Sequence, residues 1–159
     1  SEATHQTGFV NGLHAIGVEY VNTNWELYTH LTDSYIAKQN YEIDVNRAFS
    51  KTILNWFEEE FMNHIKDAEV TEIRGANNFI TYIKEETNYA VCYATGSLHK
   101  PAVHKLQKAK ISYEEEVLVA SNNYLTREEI VTAAIQKAKN HNNVTSFKRI
   151  ISYSSIKIK

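Results

Sequence analysis

One cysteine, one proline and five glycines are all that this 159-residue chain holds of the residues that staple, break or loosen a backbone. Cys92 has no second cysteine to pair with, so no internal disulfide forms, and its place within the apolar run Tyr89–Thr95 suits a small buried side chain rather than a reactive thiol. The chain has no run of about 18 apolar residues and no basic-then-apolar leader pattern at its start, which points to an untargeted protein of the reducing, cytoplasmic compartment with no membrane partner. Gly-x-Ser-x-Gly, Cys-x-x-Cys and glycine-rich phosphate loops are absent, so no cofactor, metal or catalytic residue is implied. An Asn143-Val144-Thr145 glycosylation pattern is present, but three residues recur by chance.

What is present is ordinary for a folded protein: 43% hydrophobic and 23% charged residues. A chain of this length fits one domain, residues 1–159, able to bury roughly 68–70% of its unfolded surface. Heavy use of Asn, Ile, Lys and Tyr fits an AT-rich genome such as that of a phage or other mobile element. The net charge of −2 conceals a split: residues 1–72 carry twelve acidic against four basic side chains, and residues 73–159 carry seven against thirteen. Such asymmetry suits two layers that complement each other, or surfaces that meet different partners or a second copy.

Apolar residues at Phe9, Leu13, Ile16 and Tyr20, then Val21, Trp25, Tyr28, Leu31 and Tyr35, recur at helical spacing, with a break expected near Asn22. Asn40–Ile43 reads as a turn, Asp44 as an N-cap, and Phe49, Ile53, Phe57, Phe61 and Ile65 as the stripe of a second helix. Together they predict an acidic helical hairpin over 1–66, with Glu58, Glu59 and Glu60 on its outer face. The period then shortens. Strands are expected at Phe79–Lys84, Tyr89–Thr95 and Ile111–Ala120, with a last one over Ser146–Ile158, and 70–74 is a candidate for a further short strand outside the sheet. Between the last two lies the sharpest local signal, Thr126 with Glu129 as a capping box and Leu125 with Ile130 as its staple, starting a helix at Arg127. The expected fold is therefore α+β in the order ααβββαβ, the hairpin followed by a mixed four-stranded sheet with one covering helix in its basic 67–159 portion.

The segment from Gly96 to Lys110 has six basic-capable side chains and no carboxylate, so His99, Lys100, His104, Lys105, Lys108 and Lys110 are the candidate contacts for an anion or nucleic acid. A pI near 6.4 weighs against a dedicated nucleic-acid domain. Two other patterns carry chemistry on paper. The αβββαβ order is shared with metal-dependent nucleases, yet the strand at Tyr89–Thr95 has no carboxylate to hold a cation, leaving only Glu114, Glu115 and Glu116 nearby for such a nuclease or hydrolase. Glu26 with His30, and Glu60 with His64, are spaced to share a helix face; a hairpin turn near Tyr41 brings Glu19 beside the second pair. Surface pairs at this spacing are the commoner reason for such residues. The expected function is that of a small non-catalytic binding protein that meets a protein partner, nucleic acid or its own copy through oppositely charged surfaces.

Overall fold

The computed structural model describes residues 2–71 and 73–153. Among them the chain forms six α-helices, α1 (Glu2–Ala15), α2 (Asp33–Asp44), α3 (Lys51–Ile65), α4 (Ala76–Glu86), α5 (His99–Lys108) and α6 (Arg127–His141), and two strands of two residues each, β1 (Tyr93–Ala94) and β2 (Leu118–Val119). The mixed four-stranded sheet expected from the sequence is not formed.

The N-terminal half keeps its helices but not their boundaries. The broken Phe9–Tyr35 stripe belongs to α1, an extended segment with one 3-10 turn at Trp25–Leu27, and the start of α2. Asn40–Ile43, expected as a turn, lies inside α2. Asp44 ends that helix rather than starting the next, and its carboxylate accepts the backbone N–H of Glu19 at 2.6 Å. Asn46, at φ +57°, then breaks the chain, and Ser50 caps α3 by accepting the Ile53 N–H.

The core is made where α1 lies along α3. Phe57 and Phe61 stack at 5.7 Å, and Phe9 meets both edge-on at 5.1 and 5.5 Å. Gly12 lets the helices approach this closely, since a Cβ there would lie 3.1 Å from the Phe61 backbone. Tyr28, Ile36, Tyr41 and Leu98 extend the same core. A second cluster, Val119, Ile130 and Ala134, holds α6 against β2, with Cys92 half-buried beside it.

Three of the expected strands fail or shrink for a physical reason. Phe79, Ile80 and Ile83 fall at i, i+1 and i+4, the spacing of a helix face, and α4 forms from them after Gly75, which takes the left-handed conformation at its N-cap. A strand also needs a partner. Among the described residues only Tyr93 and Ala94 find one, pairing in parallel with Leu118 and Val119, so most of Tyr89–Thr95 and Ile111–Ala120 stays irregular. The Gly96–Lys110 loop is instead mostly helix α5, because Pro101 falls in its first turn, where a missing N–H leaves no bond unmade. The crossover between the parallel strands is thus built on α5. Among the described residues of 146–158 no strand occurs; Ile156 and Ile158 lie outside the described residues. The capping box at Thr126 and Glu129 is formed, and α6 starts at Arg127.

Candidate functional site

Helix α5 carries most of the basic residues that the sequence marks out, and the fold supplies the carboxylates that this segment lacks. Lys100 Nζ pairs with Glu59, and His99 Nε2 with Glu115. The Glu59 carboxylate holds the Lys100 amine above its ordinary pKa. Lys105 turns inward, where burial lowers its pKa and Asp33 opposes that shift. His104 is partly buried with Nε2 unpartnered, whereas Lys108 and Lys110 stand exposed at and beyond the helix end. The structure therefore brings five of the six onto one short helix, with Lys110 just beyond it, but turns only part of the set toward solvent.

The start of α5 is a convergence point for three distant side chains. Asp33 Oδ2 accepts the Leu98 N–H at 3.1 Å, Asn122 Oδ1 that of His99 at 2.7 Å, and Glu58 Oε1 that of Lys100 at 2.9 Å. Two of the three are carboxylates at the positive end of a helix. Glu58, expected on an outer face, is consequently only 5% exposed.

Asp33 also receives the Ser97 hydroxyl at 2.8 Å and lies 3.5 Å from His5 Nε2. Burial works to raise the pKa of this carboxyl, but His5, Ser97 and Lys105 outweigh it and leave it below the ordinary value. Serine, histidine and aspartate meet here in the wrong order for nucleophilic catalysis: the carboxylate stands between hydroxyl and imidazole, so no base faces Ser97. The adjoining cavity, lined in part by His5, His104 and Lys105, is about 20 Å³ and accommodates no more than a water molecule.

Of the carboxylate–histidine pairs expected to share helix faces, Glu60 and His64 lie four apart on α3 but Glu26 and His30 do not share a helix, and neither pair is joined by Glu19. Glu26 lies in the 3-10 turn and His30 outside any helix, His64 Nδ1 bonds to the Glu60 backbone carbonyl, and Glu19 lies beside Asp44 instead of Glu60. Among the described residues no group of three His, Cys, Asp or Glu side chains is placed to hold a metal ion.

A larger concavity lies elsewhere, between the extended segment and α2. It has a volume of about 310 Å³ and is walled by Tyr20, Val21, Leu27, Tyr28, Gln39 and Ile43. Its floor is fixed by hydrogen bonds. Asn40 donates to the Tyr28 hydroxyl at 2.6 Å and accepts the Asn22 N–H at 3.0 Å, while that hydroxyl donates to the Asn22 carbonyl at 2.7 Å. Burial raises the Tyr28 pKa against the opposing Asn40 bond, keeping the phenol protonated as that donor. The walls, in contrast, are wet: Tyr20 is 79%, Leu27 70% and Ile43 74% exposed. Sequence reasoning missed this groove, although Leu27 lies off the helical stripe and Ile43 lies in the expected turn.

The chain matches no protein family, curated protein or solved structure. No helix among the described residues is long and apolar enough to cross a membrane.

Proposed function

We propose that this is a non-catalytic binding protein of the reducing cytoplasm that engages a protein partner through the groove between residues 20–28 and α2. The observation that carries this reading is the convergence of Tyr20, Leu27 and Ile43, all mostly exposed, around one concavity with a rigid polar floor. Single exposed apolar residues are unremarkable, but a cluster of large ones rimmed by polar groups marks an interaction surface. Because the walls themselves are exposed, an occupant must be larger than the cavity to cover them, which favours a polypeptide over a small molecule.

The alternative of a nuclease or hydrolase rested on a four-stranded sheet, and the described residues form a two-stranded ribbon in its place. The groove reading is tested by affinity capture from a native host lysate with the wild type and with a Leu27→Glu/Ile43→Glu variant. Both positions are exposed, so the variant should fold normally, as circular dichroism will show, and lose captured proteins. Unchanged capture by a folded variant refutes the reading.

A further inference from the structure

Two buried ring nitrogens border the small cavity next to Asp33. His5 Nδ1, from α1, and His104 Nε2, from α5, are both shut off from solvent, and among the described residues neither meets a hydrogen-bond partner. Both histidines line the same space of about 20 Å³, whose walls include Lys105 and the apolar side chains of Ile65, Ala68 and Val70. A buried polar atom without a partner is costly, so proteins satisfy such atoms with a neighbouring group or an enclosed molecule.

The surroundings select the occupant. Asp33 Oδ2 is engaged by the Ser97 hydroxyl and the Leu98 N–H, while its Oδ1 faces His5 Nε2 at 3.5 Å. A carboxylate on that side places the proton of the neutral ring on Nε2, so Nδ1 presents a lone pair to the cavity. His104 Nε2 does the same in the tautomer whose proton sits on Nδ1. Two lone pairs facing one space require a molecule that donates twice. A metal cation would lie against Lys105 and, among the described residues, would find no third histidine, cysteine or carboxylate ligand. An anion would meet both lone pairs, with the Asp33 carboxylate behind one of the rings. The volume exceeds the ~10–15 Å³ that one water requires and is too small for a larger molecule.

We propose that this cavity is a binding site for one water molecule, which donates a hydrogen bond to His5 Nδ1 and another to His104 Nε2 and accepts one from the Lys105 amine. Three bonds are the usual complement of an enclosed water. The water thereby ties the first turns of α1 to α5, beside the edge-on contact of 4.9 Å that the His5 ring makes with Phe61 of α3. His5 is a positioning residue: one nitrogen faces Asp33 at the start of α2, and the other reaches α5 through the water.

The test is a crystal structure of the full chain at a resolution that shows ordered water. It should contain a density peak within hydrogen-bonding distance, about 2.7–3.2 Å, of both nitrogens. An empty cavity, or ring nitrogens turned onto protein groups, overturns the proposal. So does a peak at about 2.0–2.1 Å from them that disappears after EDTA treatment, which identifies a metal ion instead. A second measurement reads the tie itself. His104→Phe keeps a ring but no nitrogen, and hydrogen exchange at residues 5–9 should quicken by about tenfold, the loss of roughly one hydrogen bond, while α6 is unchanged. Equal exchange in a folded variant overturns the tie, and the density test needs no variant, so it decides the matter if His104→Phe fails to fold.

Discussion

The Glu58 carboxylate on α3 accepts the Lys100 backbone N–H at 2.9 Å and so closes the first turn of α5 from 42 residues away. Its other oxygen accepts from Asn122 Nδ2 at 3.0 Å, and Asn122 in turn takes the His99 N–H. One buried acid therefore ties α3, α5 and the turn before α6. Glu58→Ala leaves two partly buried donors without this acceptor and should destabilise the fold by on the order of 1–3 kcal/mol. The shift of the urea midpoint measures this, and a change near zero would mean that water replaces the carboxylate.

Gly12 decides a question of sign. By helix propensity alone, Gly12→Ala should stabilise α1 by about 1 kcal/mol. The new methyl would, however, meet the Phe61 backbone at 3.1 Å, and backbone cannot turn aside as a side chain does. Overpacking costs of about 1–3 kcal/mol should win, giving a lower melting temperature. A higher one would show that α1 can shift along α3.

Asp33 gives the fold an acid-sensitive joint. Its folded pKa is depressed, so its contribution is fully present above the unfolded value of about 3.9 and is lost as pH falls through the lower folded value. Stability should therefore decline below about pH 4. Asp33→Asn should flatten that part of the curve and lower stability at neutral pH; chemical denaturation across pH compares the two proteins, and parallel curves would count against the assignment.

Thr126 Oγ1 accepts the Glu129 N–H at 3.2 Å while the Glu129 side chain accepts the Thr126 N–H at 2.9 Å. Thr126→Ala should cost about 1 kcal/mol. Thermal unfolding reads this loss, and Thr126→Ser should restore most of it.

Helix α4 has no buried residue, and a Lys84–Glu114 ion pair of 2.7 Å ties it to the segment before β2. Local opening follows local burial. Hydrogen exchange at 76–86 should accordingly run faster than in α3, whose Phe57 and Phe61 are fully buried. Equal protection in the two helices would contradict this.

What the sequence by itself determined was local: the Thr126–Glu129 box and the start of α6, the apolar stripe of α3, and the basic-residue density that became α5. Those signals lie within one or two turns, where spacing and capping chemistry act directly. Tertiary structure decided the rest. Short apolar runs such as Phe79–Lys84 suit helix and strand alike, and whether a strand survives depends on a partner elsewhere, which among the described residues Tyr93 and Ala94 found in Leu118 and Val119. The carboxylates that meet α5 arrive from Asp33, Glu58, Glu59 and Glu115, so the charge of its surface could not be read from the segment alone. The groove exists only because the extended chain at 20–28 lies across α2. Its walls, Tyr20, Leu27 and Ile43, share no periodicity in the sequence and meet only through that packing.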